Sequence, residues 1–450
     1  MTATTKLERV HDVAIVGAGV AGLATLRALD EHGLNAHVFE ARDRIGGRIF
    51  TLRDPRMPLP IELGAEFVHG SAPALVDLLA DAQLAAYVIE GNRWRSRNGR
   101  LTRFDDFWKT FDTVMRRLPD DGPDRSFDEF LATAPGGRSA ADARKVARAF
   151  VENFQGADAG RVSALAMAEG GSPGDDREEQ RMMRIADGYD RVPEWLARHR
   201  RDRISTGTVV ESVAWERGNV ELTLRNSEDR SLTRVSARAA VITAPLGVLL
   251  AREGEPGAIR FSPPLDPIEK IRDRLTMGSA RRFVVLFKER WWEKNLKSVP
   301  HGASLDTMSF VHGETGDFPV WWTLHPAHVT AMIGWVGGPA AAQLAGIPDD
   351  EIRDRGIASL AAKLGVTRRR VASQLVDSWT HDWDSDPFSR GAYSYALVGG
   401  SKSATALARA VDGTLWLAGE AADAEGRNGT VHGAIESGRR AARSILRAVG

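Results

Sequence analysis

The 450-residue chain contains no cysteine. Disulfides, thiolate metal centres, cysteine nucleophiles and thioether-linked prosthetic groups are therefore excluded. It also lacks a net charge: 60 Lys+Arg balance 60 Asp+Glu. No global basic field exists to collect nucleic acid or an anionic membrane surface. Nowhere do ~18 consecutive apolar residues occur, as a spanning helix requires. Met1 to Asp12 is polar and has no apolar signal-peptide core. Repeats and low-complexity linkers are missing too. These absences lead to an expectation of a soluble, cytoplasmic protein with no nucleic-acid and no membrane partner; they leave the oligomeric state open. What is present is ordinary for a globular chain, with 43% hydrophobic and 27% charged residues. The length suits two domains.

The chain opens with a buried-strand pattern, Val13-Ala14-Ile15-Val16, followed by Gly17-Ala18-Gly19-Val20-Ala21-Gly22. A helix is expected over 21–32 and a second strand over 36–39, ending at Glu40. This is a βαβ unit, so the expected fold class is α/β with a Rossmann-type dinucleotide domain. Gly17 permits the tight turn, Gly19 lets a pyrophosphate approach the backbone, and Gly22 lets helix and strand pack closely. The helix N-terminus offers N–H groups and a positive dipole end to phosphate. A GxGxxG turn alone is weak evidence, but strand, helix and Glu40 stand in their proper places here. A carboxylate at that strand end accepts ribose hydroxyls and repels a 2′-phosphate. Arg42 and Arg44-Ile45-Gly46-Gly47-Arg48 put glycines between arginines, as a second phosphate or a ring system requires, although a basic surface turn has the same composition.

From about 73 to 187 the pattern turns helical, with apolar residues at helical spacing over 126–131 and 140–155 and a loop expected over 170–176. Strands are expected over 204–224, 240–245, 283–287, 331–335 and 414–417, and helices over 189–199, 349–364 and 431–449. The expected architecture interleaves a Rossmann-type dinucleotide domain (1–75, 195–255, 400–450) with a mixed α+β substrate domain (76–194, 256–399), helical over about 76–185.

Several longer segments then carry a resemblance to the flavin-containing amine oxidases, which include monoamine oxidases, polyamine oxidases and lysine-specific histone demethylases. They are Glu62-Leu63-Gly64-Ala65-Glu66-Phe67, Thr243-Ala244-Pro245-Leu246-Gly247-Val248-Leu249, the run from Trp383 to Tyr395, Leu417-Ala418-Gly419-Glu420, and Gly429-Thr430-Val431-His432-Gly433-Ala434. The resemblance implies a FAD-dependent enzyme that transfers a hydride from a primary or secondary amine to flavin, with oxygen or another acceptor reoxidising it. It implies that Glu40 holds the ribose, that Arg42, Gly47 and Arg48 contact phosphate and flavin, and that Gly64, Ala65, Glu66 and Phe67 run along the isoalloxazine. Val210 resembles the valine at the adenine. Gly419 and Glu420 resemble the ribityl–phosphate contact, and Thr430 and Val431 begin a helix aimed at the pyrimidine ring. The cysteine that links flavin in some relatives corresponds to Ala392, so the cofactor is expected to be non-covalent.

On the substrate side, Tyr393 and Trp383 resemble the aromatic residues before and beside the flavin; the alternative is that both are core aromatics. The partner tyrosine of the monoamine oxidases corresponds to Thr430. Phe67 and His69 resemble pocket residues of polyamine oxidases. His69 is either a neutral amine contact or a structural histidine. The clearest departure is Arg282, where the family pattern has a lysine that holds a water against flavin N5. Arginine is planar, longer and permanently charged, so Arg282 and Tyr393 are the candidate catalytic residues with the least settled roles. No metal site is expected. Two other readings remain at this level: a flavin desaturase of the protoporphyrinogen or carotenoid type, and a flavin-bearing binding protein with silenced chemistry.

Overall fold

Val13, Ala14 and Ile15 are fully buried, because both faces and both edges of their strand are covered. In the computed structural model, which describes residues 7–70, 72–133, 140–169, 181–294 and 296–449, Leu7–Val16 runs parallel to Ala36–Phe39 on one side and Leu232–Ile242 on the other. Ile204–Ser205 extends the sheet beyond Ala36–Phe39, and Leu415–Leu417 runs parallel to the end of Leu232–Ile242. Parallel strands of this kind are covered on both faces and read as continuous apolar runs. The rest of the sheet is an antiparallel meander of Thr208–Glu216, Asn219–Asn226 and Leu232–Ile242. Arg260–Ser262 joins its outer edge, five residues past the expected domain boundary at 255. The loop expected over 170–176 lies outside the described residues.

The helices Val20–Asp30 and Val431–Val449 cross on one face of this sheet. A Cβ at Gly438 would lie 2.2 Å from the Ala21 carbonyl oxygen, and the Thr25 hydroxyl donates to the Gly438 carbonyl at 3.1 Å. Glycine at 438 therefore sets how closely the first and last helices approach.

A second sheet runs in the order Leu375–Asp382, Ala280–Phe287, Ala331–Gly337, Val320–Thr323, Met308–Gly313, Asn92–Arg97, Arg100–Arg103. One face buries Trp94, Phe283 and Trp321 against the helix Asp349–Leu364. The opposite face carries Arg282, Trp335, Trp322, Phe310 and Arg93, all of which line a cavity between the two sheets.

The span expected to be helical, 73–187, is only partly so. It holds the helices Phe107–Met115 and Ala141–Gln155, but also the strands Ala86–Val88, Asn92–Arg97, Arg100–Arg103 and Met182–Ile185. The hairpin has a local cause. Trp94 and Ser96 are buried while Arg93 and Arg95 face the other way, a period of two. Asn98 and Gly99 then reverse the chain with φ of 50° and 72°, the signature of a two-residue hairpin turn. Among the described residues no helix is long and apolar enough to cross a membrane.

Candidate active site

One cavity of about 1480 Å³ runs from the glycine turn to the second sheet, larger than the roughly 300–1,000 Å³ of an ordinary small-ligand pocket. Every expected site residue except Gly22 lines it. Gly22 stands behind the turn, where a Cβ would lie 2.0 Å from the Gly17 carbonyl oxygen. Gly17 itself adopts φ 101°, and Thr243 fastens the turn by donating to the Val16 carbonyl at 2.7 Å. At Gly19 a Cβ would meet nothing within 4 Å, so the backbone there is open to the cavity.

Glu40 is buried and shapes the turn from the side. Its carboxylate accepts from the Ala18 N–H at 2.7 Å and the Arg42 N–H at 2.9 Å, which leaves lone pairs for further donors. The Arg42 guanidinium turns to Asp386 at 2.8 Å. Gly47 lies against Gly19, where a Cβ would sit 3.4 Å from the Gly19 Cα. Val210 lines the same end of the cavity beside Thr208 and Val209.

A second carboxylate, Glu420, ties the middle of the cavity together. One oxygen accepts from Arg48 at 2.8 Å. The other accepts from the Ser394 hydroxyl at 2.7 Å and the Gly429 N–H at 2.9 Å. Arg48 also donates to the Ala392 carbonyl at 2.7 Å. Thr430 caps the last helix, accepting from the Gly433 N–H at 3.0 Å and donating to the Arg427 carbonyl at 2.7 Å. Its hydroxyl is thus occupied by the helix start, and the first turn, with Val431, borders the cavity. A capped helix end offers N–H groups and a positive dipole there.

Aromatic residues wall the region between the sheets. Tyr393 donates to the Phe154 carbonyl at 2.7 Å, and glycine at 156 makes room for its ring, because a Cβ there would lie 3.0 Å from the ring edge. Trp383 donates to the Leu63 carbonyl at 3.0 Å, which fixes the segment leading to Gly64 and Ala65. At Gly64 a Cβ would fall 1.9 Å from the Arg48 carbonyl oxygen. Phe67 packs edge-on to His69, which in turn meets Phe154 edge-on at 5.1 Å. Burial pushes the His69 pKa down to about 4, with His432 adding to the effect, so this histidine is neutral.

Arg282 lies in a slot where two buried arginines share one carboxylate. Its guanidinium reaches Glu66 at 3.1 Å and donates to the Glu62 carbonyl at 2.9 Å. Its carbon centre stands 5.5 Å from the ring centres of both Trp322 and Trp335. Glu66 is shared with Arg184, 2.6 Å away, and accepts from the Trp322 indole at 3.2 Å. Hence the Glu66 side chain is engaged with arginines, and only its backbone follows the Gly64–Phe67 segment. The buried Arg282 Nε has no hydrogen-bond partner among the described residues. Arg281, its neighbour, points to the opposite face and pairs with Asp382 at 3.0 Å.

Sequence reasoning missed Arg93, Arg184, Phe154, Phe310, Trp322 and Trp335, and it quoted Glu62 only as the start of a segment. Alternation in Asn92–Arg97 was the available signal for Arg93. None existed for Arg184, whose partner Glu66 is 118 residues away.

The glycine turn, the Glu40 strand end and the connected aromatic chamber define a dinucleotide-dependent oxidoreductase with an enclosed substrate site. More particularly, the chain belongs to the family of flavin-containing amine oxidoreductases, whose model matches residues 20–446. It is similar to flavin-containing amine oxidase B of Homo sapiens, 27% identical over 98% of this chain and 86% of that one. Its fold resembles putrescine oxidase bound to putrescine (TM-score 0.77, 22% identity, 98% and 99% coverage). It also resembles cyclohexylamine oxidase of Brevibacterium oxydans (TM-score 0.78, 22% identity, 98% and 100% coverage). The protein is a FAD-dependent oxidoreductase acting on amines, and the desaturase alternative is not favoured. The residues present fit FAD: an open backbone at Gly19, an acceptor with spare capacity at Glu40, the helix start at Thr430, and the spare Nε–H of Arg282.

Proposed function

We propose that this enzyme oxidises a small primary or secondary amine, with FAD held without a covalent bond. Bound FAD supplies the two-electron acceptor for the hydride lost from the amine carbon. Glu40, Arg48 and the first turn of Val431–Val449 hold the cofactor. Tyr393, Trp383 and Phe67 orient the amine, and the aromatic walls exclude water from it. Neutral His69 adds no positive charge to repel the amine. Arg282 takes the place of the family's lysine. Paired with Glu66, it would hold a water or a cofactor atom through its spare Nε–H but cannot release a proton of its own. The observation that carries this reading is the continuity of the nucleotide cradle and the aromatic chamber in one cavity.

The test is anaerobic mixing of the purified yellow protein with a panel of amines, followed in flavin absorbance. Bleaching by an amine supports the proposal. Bleaching by a porphyrinogen or polyene alone would support the desaturase reading, and no bleaching by any compound the binding-protein reading. Acid precipitation should leave all the colour in the supernatant; colour in the pellet would overturn non-covalent attachment.

A further inference from the structure

The face of the second sheet that looks into the cavity presents two arginines from one strand, and they are treated differently. Arg95 is neutralised: Asp142 lies 2.6 Å away and Glu314 at 3.4 Å. Arg93, two residues earlier, has no ion pair and no side-chain hydrogen bond to any described residue. Glu169, another carboxylate on the cavity wall, does not reach it. The Arg93 guanidinium is instead ringed by Phe107, Trp108 and Phe310, with its carbon centre 5.9, 5.6 and 5.5 Å from their ring centres. Cation–π contacts at these spacings return less than desolvating a guanidinium costs. Beside it, His312 stacks on Phe107 at 4.9 Å, and its Nε2 is buried without a hydrogen-bond partner among the described residues. Burial, with Arg93 next, pushes the His312 pKa down to about 3, so Arg93 is the charge that a ligand meets. An arginine fork facing a cavity and lacking a carboxylate is a bidentate receptor for one.

We propose that Arg93 anchors a carboxylate at the far end of the substrate, so that the amine oxidised here carries an anionic group across an apolar spacer. The spacing follows from Phe310, whose ring centre lies 6.4 Å from that of Phe67 and 5.5 Å from the Arg93 carbon centre, so that it links the two ends. An α-amino acid is too short to join the two ends. A diamine of suitable length would put its second ammonium against a guanidinium. Phe67, Phe310 and Trp322 supply the apolar passage between them. This substrate class rests on the amine-oxidation reading above.

The test uses the FAD-loaded enzyme and a series of ω-amino carboxylic acids, with the alkylamines and α,ω-diamines of matching length. The best ω-amino acid should exceed its plain alkylamine in kcat/KM by roughly 10- to 100-fold, the worth of a charge-assisted contact. The gain should lie mainly in KM, and the diamine should be the poorest of the three. Arg93→Met should bring the ratio of ω-amino acid to alkylamine close to one, and Arg93→Lys should restore part of it. A wild-type preference for the alkylamine or diamine would overturn the proposal, as would an undiminished ratio in Arg93→Met. Binding of hexanoate and octanoate, read from the perturbed flavin spectrum, separates the two readings without turnover. If these acids bind wild type tightly and Arg93→Met weakly while no amine is oxidised, the anion site stands and amine oxidation fails. If amines are oxidised but the acids bind both proteins alike, the reverse holds.

Discussion

At the nucleotide end of the cavity, buried charges are satisfied by the protein itself. Glu40 holds two backbone N–H groups, Arg42 holds Asp386, and Glu420 joins Arg48, Ser394 and Gly429. At the far end, the arrangement is split. Arg282 and Arg184 share Glu66, whereas Arg93 is left to aromatic rings. The first region is a finished mould built from short loops. The second contains a charge that only a ligand completes. Preorganisation suits a cofactor that stays through every turnover, and an unpaired receptor suits a molecule selected at each one.

The sharpest way to break that comparison is to remove the carboxylate that two arginines share. Glu66→Ala leaves two buried arginines without their carboxylate, a loss of about 3–5 kcal/mol for a broken buried pair. Denaturant unfolding of the holoenzyme should show a lower midpoint with an unchanged slope. A midpoint equal to wild type would mean that water or a shift of Arg184 replaces the carboxylate.

Next in size is Glu40→Ala. Each charge-assisted hydrogen bond that it provides is worth about 1.5–3 kcal/mol, so FAD affinity should fall by an order of magnitude or more. Because Glu40 also holds Ala18 and Arg42 in place, part of that loss is a loosened turn. Glu40→Gln keeps the shape and should recover part of the affinity. An unchanged FAD dissociation constant in Glu40→Ala would show that the ribose is held elsewhere.

Arg282 tests whether the Glu66 slot is tuned or merely drifted from lysine. A lysine cannot reach Glu66, the Glu62 carbonyl and two indole faces with one planar group. Arg282→Lys should therefore slow flavin reduction by the best amine about tenfold, equivalent to roughly 1.4 kcal/mol in the barrier, and Arg282→Met should slow it at least as much. Stopped-flow traces in which lysine preserves or raises both reduction and reoxidation would make the arginine a stand-in. If methionine too left both rates untouched, Arg282 would play no part in the chemistry.

The same division explains what was legible in the sequence. The nucleotide mould is local: Gly17 to Gly22, Glu40 to Arg48 and Gly419 to Val431 each fold within a turn or two, so spacing and residue type announce their geometry. The chamber is assembled from separate strands and helices. Glu66 meets Arg184 and Arg282 across 118 and 216 residues, and no local pattern carries such a pairing. The strand holding Arg93 was hidden for another reason. Its arginines mimic a solvated polar face, and an alternation of cations with Trp94 and Ser96 reads as helical background unless the Asn98-Gly99 turn is weighed with it. Thr430 shows a third limit: resemblance places it at the substrate and at the start of the last helix, and it lines the cavity, but no spacing announces that its hydroxyl caps that helix.

The smallest effect expected comes from His69, on the wall between the two regions. Its folded pKa is about 4, pushed down from 6.5 chiefly by burial. Between those values the unfolded chain binds a proton that the folded one refuses, so stability is complete above pH 6.5 and falls as the pH drops toward 4. One such proton contributes about 1.4 kcal/mol per pH unit at most. His312, pushed to about 3 by burial, acts in the same direction. Glu62 opposes both: burial raises it from 4.5 to about 7, so the folded state keeps a proton that the unfolded carboxyl releases, and stability from this group declines as the pH rises through that window. His69→Phe removes one of the two histidine contributions while keeping a ring against Phe67 and Phe154. Unfolding free energies measured from pH 4.5 to 6.5 should rise less steeply with pH in the variant than in wild type. Equal slopes would mean that His69 takes up its proton in the folded protein, and that the boundary between the cradle and the chamber already carries a positive charge of its own.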